Sequence, residues 1–280
     1  MSAGRPIVAL GEVLWDLLPS GPRAGGAPFN FAFHCHQLGY PAAIVSRVGD
    51  DELGRQLRAE VRRLGLDDEY IQTDREHPTG TVQVSLDAAG QPTYTITERV
   101  AWDFIESGPR LDALAESARA VCFGSLAQRA PESRATIRRM IALAHGLVVL
   151  DLNLRPPFDA AETIRVSLEL ADWIKVNELE AVQLPTGFDL SGVDLVCVTR
   201  GAAGCLVRTP TEVVDVPGIP VPVADTVGAG DAFTAALLTQ HLEGKSLREA
   251  ARFANAYAAV VTSKVGGTPI VTRAEVERLL

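Results

Sequence analysis

The sequence predicts an α/β protein with a mostly parallel sheet covered by helices on both faces. Short apolar runs alternate with segments of helical period along most of the chain, which is the signature of strands buried on both sides. One stretch breaks the rhythm with period-two alternation and reads as a hairpin. With 280 residues and 47% hydrophobic content, the chain can bury a full core in one large domain, 1–280.

In order, residues 7–10 read as a buried strand, 29–38 as a helix, 43–46 as a strand and 53–64 as a helix. Residues 81–86 and 92–97 alternate as hairpin strands around a turn at 87–90. Strands are expected at 120–123, 147–150, 173–176 and 195–198, with helices at 131–144 and 160–170 between them. The Pro-punctuated apolar run 221–224 reads as a further strand, followed by helices over 231–242 and 247–262. No internal repeat, low-complexity tract or linker is present.

A formal net charge of −9 without a lysine or arginine cluster lacks the electrostatic footprint of a nucleic-acid binder. Cys35, Cys122, Cys197 and Cys205 show no paired metal spacing and read as reduced core or near-core thiols. The apolar stretch at the start is too short for a secretory signal, and no uncharged run has membrane-spanning length. These features lead to the expectation of a soluble, cytoplasmic protein that binds neither nucleic acid nor membrane.

The most informative stretch is Asp225-Thr-Val-Gly-Ala-Gly-Asp-Ala-Phe233. Gly228 and Gly230 let backbone amides approach an anion, and the following helix N-terminus adds its positive dipole end. Asp231 falls in the first helical turn. A carboxylate beside a phosphate cradle is useful if it handles a proton, as the base that accepts the proton of an attacking hydroxyl. As a local pattern, a helix-capping role for Asp231 is equally compatible.

This stretch resembles the carboxy-terminal motif of the ribokinase-like (PfkB-type) sugar kinases. So do other segments, in family order. Gly11-Glu-Val-Leu-Trp-Asp16 and Gly25-Gly-Ala-Pro-Phe-Asn30 look like substrate-binding segments, followed by Leu38-Gly39 and Val48-Gly-Asp-Asp-Glu-Leu-Gly54. Lys175-Val-Asn-Glu-Leu-Glu180 matches an Asn-x-x-Glu element, and Val198-Thr-Arg-Gly-Ala-Ala-Gly204 a nucleotide loop. The resemblance implies a three-layer α/β/α sandwich with a small β lid contributed by about 12–20 and 79–100. It also implies ATP-dependent transfer of the γ-phosphoryl group to a sugar hydroxyl.

By resemblance, Asp231 is the base and the amides of Gly228, Ala229 and Gly230 form the anion hole. Asp16, Gly25, Gly26 and Asn30 fall in the sugar pocket, and Arg155, after the strand 147–150, is placed to meet the sugar or the moving phosphate. A surface ion pair is the competing reading of Arg155. Asn177, Thr199, Gly201, Gly204 and Asn255 are assigned to ATP, and Glu180 to Mg2+ through water. Asn177 as a helix cap with a solvent-facing Glu180 is the bland reading of that motif. Asp225 with the carbonyls of Val227, Val261, Lys264 and Gly266 would hold K+. A homodimer through the lid is the implied assembly.

Gly11-Glu12 with Trp15-Asp16, Gly25–Pro28, Pro78–Thr81, Ala101–Asp103 and Asp151–Arg155 look most like bacterial fructokinases, which points to D-fructose and fructose 6-phosphate. Phe29 and Phe31 depart from the smaller residues common there and could narrow the pocket. Another sugar, 2-keto-3-deoxygluconate or a nucleoside stays open as substrate, as does a non-catalytic regulator on the same fold. A dinucleotide-dependent oxidoreductase is disfavoured because no Gly-x-Gly-x-x-Gly follows the first strand. Thr239–Ser246 imitates the end of a P-loop without its leading glycine, so Ser246 reads as a helix cap. His34-Cys35-His36 places side chains on different helix faces and is discarded as a metal site.

Overall fold

The computed structural model describes residues 4–18, 21–86, 92–184 and 192–280. The turn expected at 87–90 lies outside them. The chain begins with β1 (Ile7–Leu10), the antiparallel pair β2 (Leu14–Leu18) and β3 (Gly21–Gly25), and helix α1 (Ala27–Gln37). It continues through β4 (Ala42–Gly49), α2 (Glu52–Arg63), β5 (Ile71–Asp74), and the paired β6 (Thr81–Leu86) and β7 (Pro92–Ile96). Next come α3 (Pro109–Ser117), β8 (Ala120–Phe123), α4 (Pro131–Leu143), β9 (Leu147–Asp151), α5 (Ala161–Leu170), β10 (Trp173–Asn177) and the short α6 (Glu178–Ala181). β11 (Leu195–Thr199), β12 (Cys205–Arg208) and β13 (Val213–Val216) precede α7 (Ala229–Leu242), α8 (Leu247–Thr262) and α9 (Arg273–Glu277).

Nine strands form the main sheet in the order β13-β12-β11-β10-β9-β8-β1-β4-β5. The strands from β5 to β11 run parallel, and β12 and β13 are antiparallel additions at one edge. Successive side chains of a strand point to opposite faces, and β1 shows the consequence. Ile7 and Ala9 pack with Phe29 of α1, Leu237 of α7 and Tyr257 of α8, whereas Val8 and Leu10 pack with Leu114 of α3, Met140 of α4 and Leu168 of α5. Both faces of the strand are therefore core, which explains its unbroken apolar sequence. All four cysteines are free and buried, in keeping with their reading as core thiols.

A second sheet of four strands, β3-β2-β6-β7, stands apart from the first. Its β2–β6 pair is parallel and places Asp16 opposite Val82. β3 is a strand that the sequence did not announce, since its Gly-Pro-Arg-Ala-Gly composition lacks strand formers and its pairing comes from β2.

The expectation of a strand at 221–224 is corrected: no strand occurs between Val216 and Ala229. Pro220 and Pro222 supply no N–H for a ladder. The backbone is instead tied to the end of α8, where Thr262 O accepts from Ala224 N at 3.0 Å and Asp225 N at 3.2 Å.

The chain order turns back on itself between β1 and β8, one neighbour of β1 being β4 and the other β8. In open parallel sheets such a reversal leaves a crevice at the carboxyl ends of the strands, where ligands bind.

Candidate active site

A cavity opens at that reversal. It is lined by Glu12 beyond β1, Ser125 beyond β8, Asp151 and Asn153 at the end of β9, Phe31 of α1 and Asp231 of α7. Helix α7 starts with Gly228 as N-cap in the left-handed conformation, φ 75°. Glycine is required there twice over, because a Cβ would also lie 2.5 Å from Gly267 Cα. The Ala229 amide is partly committed, donating to Thr226 O at 3.3 Å. Gly230 packs over Lys175, whose Nζ would be 2.9 Å from an added Cβ.

Asn30 Nδ2 donates to Asp231 Oδ2 at 2.8 Å. Burial raises the Asp231 pKa to about 6, with the Asp151 carboxylate pushing the same way, while the Asn30 bond and the charges of Lys175 and Arg155 oppose the rise. A carboxyl group poised there can accept a proton near neutral pH.

Beneath it lies a buried network that sequence reasoning missed. Lys175 Nζ donates to Asp151 Oδ1 at 3.0 Å, and Thr234 Oγ1 donates to Asp151 Oδ2 at 2.9 Å. Burial disfavours the Lys175 ammonium, yet Asp151, Asp231 and Glu180 together outweigh it and raise its pKa. The available signal was a lysine inside the apolar run of β10 and an aspartate closing the apolar run of β9.

On the side of the second sheet, Asp16 lies over Gly25, where a Cβ would meet Asp16 Oδ2 at 2.4 Å. Gly26, with φ 111°, caps α1 and passes so close to Glu12 O that a Cβ would sit 2.4 Å away. Burial raises the Asp16 pKa to about 6, with Arg155 lowering it and Asp225 raising it. Glu12, also missed, is buried and raised to about 7 by its desolvation, against the Arg155 charge and the amide of Ala27. Arg155 is exposed, donates to Leu154 O at 2.9 Å, and makes no ion pair among the described residues. Its charge acts on Glu12, Asp16 and Asp231 alike. Phe29 and Phe31 both belong to the core, and Phe31 also borders the cavity.

Along the other half of the strand ends, Asn177 caps α6 by accepting from Glu180 N at 2.9 Å. Glu180 is buried rather than solvent-facing, with Oε1 accepting from Leu154 N at 2.9 Å and Oε2 from Asn177 N at 2.8 Å. Each oxygen retains one acceptor site. Thr199 ends β11, and Gly201 and Gly204 flank the turn that follows, with φ 52° and 95°. Asn255 donates to Val216 O and Pro217 O, fixing the segment after β13. Asp225 joins the loop after α8 to the α7 turn: Oδ1 accepts from Val227 N and Oδ2 from Gly266 N, each at 3.0 Å. Arg23 of β3 approaches the same carboxylate to 3.7 Å. Val261 O accepts from Lys264 N at 2.9 Å, which folds the remaining two predicted cation ligands into the same turn. Ser246 caps α8 in a capping box with Glu249, as the sequence suggested.

Residues 21–273 match the family model described as pfkB family carbohydrate kinase. The chain belongs to the pfkB family of carbohydrate kinases. Among the relatives of this pfkB kinase, fructokinase-1 of Zea mays is 33% identical over 100% of the chain and 99% of its own length. An uncharacterized sugar kinase from Pyrococcus horikoshii, solved in complex with ATP, is 32% identical with a TM-score of 0.85, covering 98% of this chain and 100% of that one. A double mutant of the Vibrio cholerae O395 fructokinase, solved with fructose, ADP and potassium ion, is 27% identical with a TM-score of 0.84, covering 100% of both chains. The pfkB kinase thus has the ribokinase-like α/β architecture that its motifs implied.

Proposed function

We propose that the protein transfers the γ-phosphoryl group of ATP to the primary hydroxyl of D-fructose, giving fructose 6-phosphate. The observation that carries this reading is the Asp231 carboxylate, held by Asn30 at the α7 N-terminus and facing a cavity framed by the ends of β1, β8 and β9. There it can take the proton of the attacking hydroxyl while the amides at Gly228, Ala229 and Gly230 meet the charge of the transferring group. Asp16, Gly25, Gly26, Asn30 and Arg155 are assigned to the sugar: Asn30 holds Asp231, Asp16 lies over Gly25, and the Arg155 charge acts on both carboxylates. Fructose is favoured by the fructokinases of Zea mays and Vibrio cholerae among the relatives.

Asn177, Thr199, Gly201, Gly204 and Asn255 are assigned to ATP, whose phosphates the glycine turns can approach closely. Magnesium would be reached by Glu180 through water, neutralising phosphate charge, and potassium by Asp225 with the carbonyls of Val227, Val261, Lys264 and Gly266. The small sheet β3-β2-β6-β7 acts as a lid that excludes water from the reacting phosphate, and its outer edges suit pairing in a homodimer. Among the described residues no helix is long and apolar enough to cross a membrane, and we assign the enzyme to the cytoplasm.

The test is an ADP-release assay with magnesium-ATP and potassium over fructose, ribose, glucose, tagatose, 2-keto-3-deoxygluconate and adenosine. Fructose is expected to give the highest kcat/KM. Another winner overturns the sugar and keeps the kinase chemistry.

A further inference from the structure

His34 was discarded above as a metal ligand, and its surroundings give it a different task. It is fully buried on α1, one turn beyond Asn30. Its Nε2 is 3.0 Å from Gly267 O and its Nδ1 is 3.1 Å from the Tyr257 hydroxyl. A carbonyl can only accept, so Nε2 carries the proton and Nδ1 is the acceptor for the Tyr257 O–H. Tyr257 in turn accepts from Gln37 Nε2 at 2.9 Å, and Gln37 Oε1 accepts from Val271 N at 2.7 Å. Every donor finds an acceptor with the imidazole neutral, and burial pushes its pKa down to about 4, which keeps it so.

Gly267 is the wall between two parts of the site. A Cβ on Gly228 would lie 2.5 Å from Gly267 Cα, and a Cβ on Gly267 would lie 2.7 Å from Asn30 Nδ2 and 2.8 Å from Asn30 Oδ1. Among the described residues, Asn30 Oδ1 is buried without a hydrogen-bond partner. Apart from its bond to Asp231, the amide is therefore oriented by the backbone packed on its face. The neighbouring Gly266 amide reaches Asp225. Displacing Gly267 would disturb the Gly228 turn and the partner of Asp231 together.

We propose that His34 is a positioning residue: by donating to the Gly267 carbonyl, it holds the wall that sets both the Gly228 turn and the Asn30 amide against Asp231. The proposal rests on the assignment of Asp231 as base. It predicts a dependence on one ring nitrogen, since glutamine can reproduce an Nε2 donor and asparagine only a group at the Nδ1 position.

The experiment compares His34→Gln, His34→Asn, Tyr257→Phe and Gly267→Ala with wild type in steady-state kinetics, thermal melting and amide hydrogen exchange of residues 266–271. His34→Asn is expected to lose about 10- to 100-fold in kcat, with the KM for ATP within about 3-fold and only the sugar KM moving with Asn30, because misplacement of a catalytic group is a loss of orientation. His34→Gln keeps kcat within about 3-fold of wild type, and Tyr257→Phe melts lower while keeping kcat within the same range. Gly267→Ala, which wedges the Asn30 amide directly, lowers kcat as His34→Asn does and serves in its place if that variant does not fold. Wild-type kcat in His34→Asn or Gly267→Ala, or kcat tracking melting temperature across all four variants, overturns the proposal. Exchange at 266–271 needs no substrate and separates this idea from the choice of base and of sugar: it quickens in His34→Asn but not in His34→Gln, and equal exchange in the two overturns the proposal on its own.

Discussion

Asn30 and Asp231, 201 residues apart in sequence, meet through a 2.8 Å bond that draws α1 onto the first turn of α7. The bond favours the ionised carboxylate, while burial and Asp151 favour the protonated one, and the balance falls near pH 6. If Asp231 is the base, kcat/KM rises with pH through an apparent pKa of about 6. Asn30→Ala removes a group that lowers the pKa, so the rising limb moves to higher pH. Asp231→Asn folds and loses about 10²- to 10⁴-fold in kcat, the usual contribution of a general base. A limb that stays in place in Asn30→Ala, or near-normal turnover in Asp231→Asn, would sink the assignment.

Lys175 and Asp151 form a buried pair whose side chains are 10% and 9% exposed. Removing one partner leaves the other charged and desolvated, which costs about 3–5 kcal/mol. Lys175→Met is therefore expected to lose stability on that scale in urea denaturation. Lys175→Met combined with Asp151→Asn should recover part of the loss, because no unpaired charge remains. A Lys175→Met protein as stable as wild type would show that the pair is solvated.

The sheet was legible because parallel strands buried on both faces are written as unbroken apolar runs, as Ile7–Leu10 and Ala120–Phe123 are. The α7 turn was legible because its chemistry is local, the left-handed Gly228 being three residues from Asp231. What the sequence hid depends on distant partners. Glu12 stands in a substrate-binding motif of the sequence, but its burial shows only once Gly26 and Ala27 close over it. His34 has its partners at Tyr257 and Gly267. The edge strands β12 and β13 are short, and their alternation of burial is masked in the sequence because the apolar Leu206 and Val213 take outward positions. The false strand at 221–224 followed from apolarity alone, where the prolines should have counted for more.

Glu12 gives a stability test with a defined sign. Its pKa is raised from 4.5 to about 7 by burial, so the folded protein holds this proton more tightly than the unfolded chain. Stability is lost as pH rises from about 4.5 to about 7, by something on the order of 3 kcal/mol. Glu12→Gln keeps an acceptor for the Ala27 amide without the charge. Its melting temperature should exceed that of wild type at pH 8, with the gap closing towards pH 4.5. The raised Asp16 and the depressed His34 are common to both proteins and cancel in the difference, whereas Asp231, whose charge contributes to the Glu12 shift, does not cancel fully. A gap of constant size across this range would mean that Glu12 is not desolvated.

The proposed potassium site turns on Asp225. Its two oxygens are fixed by the amides of Val227 and Gly266, so the carboxylate presents its remaining acceptor sites in one orientation to the turn that carries Val261, Lys264 and Gly266. Arg23, 3.7 Å away with its side chain 40% exposed, is a weak partner that a desolvated ion could displace. Potassium is accordingly expected to raise kcat above its value in sodium at equal ionic strength. Arg23→Ala should increase the ratio of the two rates, because the guanidinium competes for the same carboxylate. Asp225→Ala should bring both rates to one low value, since the link between the loop after α8 and the α7 turn is lost with the ion. Equal turnover of the wild-type enzyme in potassium and sodium would remove the cation from this site and leave Asp225 as the tether between Val227 and Gly266.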